Sequence, residues 1–230
     1  MSGAAGNGGS PVTAARVAAV TGRRAEARLA ARGLWRVGCA GGDAAATKAE
    51  IDRLVAAGAT VLVSFGIAGG LDPALLPGTL VVADRVIGAA GAHPPPLVPA
   101  LAGARIGAVV GAAAPAATAA AKAALFRQSG ALAVDLESAL VAAAAARAGL
   151  PYAVLRAVAD PASRDLPQAA CIPLRGDGTP DLAAVLVSVA RRPGQVPALI
   201  RVARDTRAAL ATLARIDLAA LFAITAGNPP

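Results

Sequence analysis

Apolar and polar positions run along the chain in blocks that read in turn as strands and helices. After an opening over residues 1–14 that reads as a disordered tail, Ala15–Val20 is apolar enough for a first strand. Thr21-Gly22-Arg23-Arg24 is a turn, Ala25–Arg32 a helix stopped by Gly33, and Trp35–Cys39 a second short strand. Asp43 stands where an N-cap belongs, ahead of a helix over Ala44–Ala57 whose Ile51, Leu54 and Val55 recur at helical spacing. Thr60–Phe65 is apolar and β-branched without alternation, the pattern of a strand buried on both faces. The small residues Gly66–Gly70 that follow would let a ligand approach the backbone. Leu80–Ile87 and Arg105–Val110 are further strands, and Thr118–Ser129 is a helix. From Ala133 the pattern is strand, helix, strand. A short apolar run ends at Asp135, an Ala-rich helix covers Ser138–Ala148 with Gly149 as its stop, and Tyr152–Ala159 is broken only by Arg156. Beyond Asp160-Pro161 lie an irregular stretch, a helix over Asp181–Ala190, a linker at Pro193–Pro197 and one long helix over Ala198–Leu221.

Strands alternating with helices predict a single α/β domain over residues 15–192, with a mostly parallel central sheet flanked by helices on both faces. Residues 193–230 then form a helical extension packed on or beside it. A chain of 230 residues can bury a sizeable core. Aromatics are only 2%, so that core must be packed with Ala, Val and Leu.

The formal net charge of +8 would suit an anionic small ligand, an anionic membrane surface or nucleic acid. The charge forms no long run and stacking aromatics are nearly absent, which argues against nucleic acid. Cys39 and Cys171 stand far apart with no second ligand nearby, so neither a disulfide framework nor a metal site is expected. The opening lacks the basic and apolar regions of a signal peptide, and no apolar run reaches the roughly 18 residues of a membrane span. A cytoplasmic protein is expected. The last helix, with Arg201, Arg204, Arg207 and Arg215 beside an apolar side, leaves peripheral contact with the inner membrane open.

Asp135, Glu137 and Asp160 carry the candidate chemistry. Ligands of open α/β sheets sit beyond the carboxyl ends of parallel strands, which would gather these acids at one rim with Arg156 close behind. Such groups are costly to bury unless paired or used.

Two segments carry a family resemblance. SFGIAGGLDPALLPGTLVVAD, residues 64–84, resembles the glycine-rich segment of the nucleoside phosphorylase/nucleosidase superfamily. AVDLES followed by VLRAVADPA resembles its second signature, a V-D-M-E motif about twenty residues ahead of R-x-x-S-D. ADPASRDLPQAA and RRPGQVPALIRVARDTRAAL look closest to the hopanoid-associated phosphorylases. The resemblance implies a twisted sheet of mixed strand direction, partly closed and flanked by helices, and an enzyme that cleaves a ribosyl–purine bond. In that branch the implied substrate is adenosylhopane, a lipid-linked nucleoside, giving adenine and ribosyl- or phosphoribosyl-hopane. A methylthioadenosine/S-adenosylhomocysteine nucleosidase is the nearest rival, and a non-catalytic nucleoside- or lipid-binding module a reading of another class.

The resemblance also implies roles. Asp160 matches the general acid that protonates purine N7, and Glu137 the glutamate that holds the ribose hydroxyls. Leu136 stands where a methionine packs on the sugar, and Gly66, Ile67 and Ala68 line the substrate. Ala159 replaces a serine that often contacts the acid or the base, so that contact must be missing or come from another group. Arg156 would position Asp160 or another carboxylate. Glu26 matches the glutamate that activates water in hydrolytic relatives. The arginine that holds phosphate in phosphorolytic relatives is absent, the corresponding positions being about Ser64 and Ile67. Arg24, with Arg23, Arg28 and the amides of Gly41 and Gly42, could still form a phosphate or nucleophile pocket. Inorganic phosphate therefore stays open as a co-substrate, with no other cofactor expected. Loop 88–99 is apolar enough to line an exit for a lipid tail, and its His93 reads as a surface histidine. A homo-oligomer is expected from the family.

Overall fold

The structure, a computed structural model, describes residues 15–223, so the tail expected over residues 1–14 lies outside the described residues. In order, the elements are β1 (Val17–Thr21), α1 (Arg24–Ala30), β2 (Arg36–Cys39), α2 (Ala44–Ala56), β3 (Val61–Gly70), β4 (Leu80–Gly88), β5 (Gly91–Ala92), β6 (Arg105–Gly111), α3 (Ala119–Ser129), β7 (Ala133–Asp135), α4 (Ser138–Ala148), β8 (Tyr152–Asp160), α5 (Leu182–Arg191), α6 (Val196–Leu213) and α7 (Leu218–Ala223).

One mixed sheet holds all eight strands. β2, β1 and β3 are parallel neighbours, as are β3 with β8, β4 with β6, and β6 with β7. β3 meets β7, and β4 meets β8, antiparallel. The circuit β3–β7–β6–β4–β8–β3 therefore closes into a barrel, with β1 and β2 as a wing on β3 and β5 on the edge of β4. The mixed, partly closed sheet expected from the family is what forms, rather than the mostly parallel one suggested by strand–helix alternation.

β3 makes the closure possible. Its first half, Val61–Ser64, pairs with β1, while Gly69 and Gly70 have turned away to pair with β7. Gly66–Gly70, read from sequence as small residues following the strand, continue it; its three glycines let it bend and be approached closely.

Alternation along the wing strands divides the core. Ala18, Val20 and Leu62 face α2 and α4 through Ile51, Leu54, Val141 and Ala145. Val17, Ala19, Val63 and Phe65 face α1, α6 and α7 through Ala30, Ala209, Leu213 and Phe222. The expected single C-terminal helix is broken. α6 ends at Leu213, and Asp217 starts α7 by accepting the amide of Ala220 at 3.0 Å. The turn between them brings Leu218, beside Gly33, and Phe222 into the core, 4% and 3% exposed.

Candidate active site

Glu26 sits in the first turn of α1 and is 2% exposed. Its Oε2 accepts the backbone N–H of Arg23 at 2.8 Å, and its Oε1 accepts that of Ile67 on β3 at 2.9 Å. The helix start thus aims a carboxylate at the glycine-rich strand and locks it there. Burial pushes Glu26 above the usual carboxylate range, against the amide of Ile67 and the nearby charge of Arg156.

Arg156 is fully buried on β8, directly opposite Gly66. It donates from Nε to Asp135 at 2.5 Å, and from Nη2 to Ser64 Oγ at 2.5 Å and to Glu137 and Ser138 at 3.3 Å. A Cβ added at Gly66 would lie 2.7 Å from Arg156 Nη1 and 2.8 Å from the Glu26 carboxyl carbon, so this glycine is the space both charges share. Arg156 does not touch Asp160. Of the two roles expected for Arg156, positioning Asp160 or another carboxylate, the second holds: it serves Asp135 and Glu137.

Asp135 is spent on structure. Its Oδ1 accepts the amides of Glu137 at 3.0 Å and Ser138 at 2.8 Å, starting α4, and its Oδ2 is held by Arg156 and the Ser138 hydroxyl. Glu137 gives Oε2 to Arg156 and turns Oε1 toward Gly22, where a Cβ would come within 2.4 Å. Burial first, with help from Asp135 and Glu26 and against Arg156, raises Glu137 to about 7.

Asp160 is the last residue of β8, at the carboxyl end of a strand parallel to β3 as expected, and a bulge sets its position there. Ala68 on β3 faces Val158, but Gly69 faces Asp160, so Ala159 is an extra residue in β8. Gly69 also pairs with Val134 on β7, and this one glycine brings the ends of β7 and β8 together. The partner of Asp160 is Lys122 of α3, a residue sequence reasoning passed over. Lys122 is fully buried; it donates to Asp160 Oδ2, to Pro161 O at 3.0 Å and to Arg164 O at 2.9 Å. Burial raises the Asp160 carboxyl, opposed by the Lys122 contact. The charges that act most on it are Lys122, Arg164 and Asp205.

These groups line one cavity of about 530 Å³. Glu26, Glu137 and Asp160 all face it, together with Leu136, Ile67, Ala68, Ala159, Gly41 and Gly42. Gly66 lies behind, between Glu26 and Arg156. Arg24 is outside: its side chain is 56% exposed and pairs with Asp177 at 3.3 Å, while Arg23 lines the cavity. Loop 88–99 lines none of it. The apolar wall comes instead from Leu166, Ala170 and Cys171–Leu174, a segment fastened by Leu166 N to Ala117 O at 2.7 Å and Ala169 N to Gln195 Oε1 at 3.0 Å. Chemically, the cavity offers two carboxylates backed by one guanidinium, a third backed by an ammonium, and a hydrocarbon side.

Comparison with known proteins bears on the family and the fold. The family model described as "Phosphorylase superfamily" matches residues 34–102 and 100–192. No curated protein matches the chain by sequence. Solved structures similar to it include a mutant of the Helicobacter pylori 5′-methylthioadenosine/S-adenosylhomocysteine nucleosidase with 5′-methylthioadenosine in its active site (TM-score 0.56, 14% identity, 87% of this chain and 97% of that one). Others are S-adenosylhomocysteine nucleosidase from Streptococcus pyogenes (0.54, 15%, 84% and 97%) and futalosine hydrolase from Helicobacter pylori (0.54, 16%, 77% and 98%). At these identities the structures establish a shared fold.

Proposed function

The chain belongs to the phosphorylase superfamily and is an enzyme of N-glycosidic bond cleavage, and on that premise we propose that it hydrolyses a purine nucleoside carrying an apolar chain at the ribose 5′ position, with adenosylhopane as the substrate. The observation that carries this reading is the convergence of Glu26, Glu137 and Asp160 on one cavity whose far wall is apolar. Asp160 is the acid that protonates the leaving purine. Glu137 holds the ribose hydroxyls, and its negative charge favours the oxocarbenium-like sugar. Glu26, fixed by two backbone amides, takes the proton of the attacking water.

Water is favoured over phosphate by charge. Ser64, at the place of a phosphate ligand, spends its hydroxyl on Arg156. The cavity wall carries Arg23 against Glu26, Asp43, Asp135, Glu137 and Asp160, so a phosphate dianion would face an excess of carboxylates.

The apolar extension is supported by the wall at Leu166 and Cys171–Leu174. Ile172 also lines a second cleft, of about 460 Å³, with Ala184 and Val187 of α5. Beyond it, Leu182, Leu186, Val187, Val196 and Ile200 are exposed, with Arg191 and Arg192 nearby. This face suits peripheral contact with an anionic leaflet; of the long last helix where contact was expected, the start carries the exposed Ile200, whereas Ala209 and Leu213 pack into the core. Among the described residues no helix is long and apolar enough to cross a membrane.

The test is adenine release from adenosylhopane, methylthioadenosine and S-adenosylhomocysteine, each with and without phosphate. Fastest release from adenosylhopane, independent of phosphate, is expected. Preference for methylthioadenosine assigns the nucleosidase reading instead; a requirement for phosphate removes Glu26 as the water base; no release from any of them supports a binding module.

A further inference from the structure

Lys122 has no part in the chemistry described so far, yet it is 0% exposed in an α-helix whose other residues are at most partly buried. A buried ammonium with no partner is prohibitively costly, and here its three donor positions are all used: one carboxylate oxygen and two backbone carbonyls. The three acceptors belong to Asp160, the last residue of β8, and to Pro161 and Arg164 in the turn that follows it. The same turn is tied to α6 by the Arg164–Asp205 pair and to α3 by Asp165, which accepts the amide of Ala119 at 2.7 Å. Lys122 is thus the centre of a small scaffold whose one chemically reactive member is Asp160.

The bulge places Ala159, a residue with no hydrogen-bonding side chain, immediately before Asp160. Neither Ala159 nor Arg156 can orient the carboxyl. Lys122 occupies Oδ2 and leaves Oδ1 clear of the ammonium, on a residue that lines the cavity. We propose that Lys122 is the positioning residue of the acid step, holding Asp160 with Oδ1 toward the leaving purine and stabilising the carboxylate that forms there. This rests on the N-glycosidase reading above.

The step balances as follows. The C1′–N bond breaks with its electron pair going to the purine. The proton on Asp160 Oδ1 passes to the purine, which leaves neutral. The negative charge left on Asp160 lies against the Lys122 ammonium, which keeps its own protons. Water bonds to C1′ and gives its proton to Glu26. The Lys122–Asp160 attraction strengthens as the proton leaves, so it is stronger in the transition state than in the bound substrate and accelerates the reaction.

A leaving group that needs no proton separates this role from a purely structural one. The rates of Lys122→Met and of the wild type are compared on the nucleoside turned over fastest in the panel above and on 4-nitrophenyl β-D-ribofuranoside. Adenine release is expected to fall about a hundredfold, within the range of general acid catalysis. Nitrophenolate release should fall by a factor at least tenfold smaller. Equal losses on both substrates, or adenine release within about threefold of the wild type, overturn the proposal. Lys122→Met strands a buried carboxylate, so the pair Asp160→Asn and Asp160→Asn/Lys122→Met, which lacks both charges, is measured as well. If Lys122 acts through Asp160, the double variant releases adenine within about threefold of Asp160→Asn; a further tenfold loss overturns it. A wild type that cleaves neither substrate refutes the N-glycosidase reading itself, a result distinct from a wild type that works and a variant that does not differ.

Discussion

Arg156→Met tests the electrostatic logic of the cavity from behind. The methionine keeps much of the apolar stem and removes the guanidinium, leaving Asp135, Glu137 and Ser64 without the donor that joins them. Stripping one partner from a buried ion pair costs about 3–5 kcal/mol, because the remaining charge is stranded. The full cost applies only while the carboxylates are ionised. Glu137 already stands at about 7 with Arg156 pulling it down, and without that cation it rises further. Its folded value then lies well above the roughly 4.3 of an unfolded glutamate, so between the two the native variant binds more protons than the unfolded chain. Stability therefore falls as pH rises across that window, and more steeply in the variant than in the wild type. Urea unfolding followed by far-ultraviolet circular dichroism should show a loss of about 3–5 kcal/mol near pH 8, smaller by at least ~1 kcal/mol near pH 5.5. A loss below ~1 kcal/mol, or one equal at both pH values, would refute the account of Arg156 as the counter-charge of this cluster.

Three further outcomes are expected. Glu26→Gln keeps the side-chain shape but cannot take a proton, and its one amide oxygen can accept only one of the two backbone N–H groups, so kcat should drop by about two to four orders of magnitude; turnover within threefold of the wild type removes the water-base role. Gly66→Ala forces a methyl to within 2.7 Å of Arg156 and 2.8 Å of Glu26, and should cost about 1–3 kcal/mol together with activity; unchanged thermal and kinetic behaviour would show that the strand can move aside. The exposed apolar face of α5 and the start of α6 should carry the protein down with anionic liposomes at low salt, and Leu182→Ser/Leu186→Ser should release it; equal recovery in the supernatant with and without liposomes counts against membrane contact.

Local pattern made the fold legible where one element explains itself. Ser138–Ala148 begins after two acids and ends at a glycine, and the helix has those bounds. The sheet was less legible, because strand order and direction come from pairings between distant segments; β7, three residues long, carries no periodic signal, yet it closes the barrel. In the cavity, Glu137 and Asp160 were named through motifs and Glu26 by its distance from the first strand, while the partner of Asp160 was not foreseen. Arg156, expected to position Asp160 or another carboxylate, holds the second kind, Asp135 and Glu137. Lys122 looks like an ordinary solvated lysine on an Ala-rich helix, and the one hint in sequence was Ala159, a position whose missing hydroxyl implied a donor from elsewhere. The apolar wall was sought in the Pro-rich loop 88–99 because composition reports greasiness without place. Leu97 of that loop instead bridges to Ala153 at the edge of the sheet.

The bulge gives Ala159 an importance its methyl group does not suggest. It works as a spacer: β8 enters the barrel in step with β3 and leaves it one residue ahead. Substituting Ala159 alters a lining contact, whereas deleting it would restore the pleat and turn Asp160 to the opposite face of the strand, away from both the cavity and α3. At this spot chain length matters more than side-chain identity, and tolerance to substitution there is compatible with intolerance to a one-residue gap.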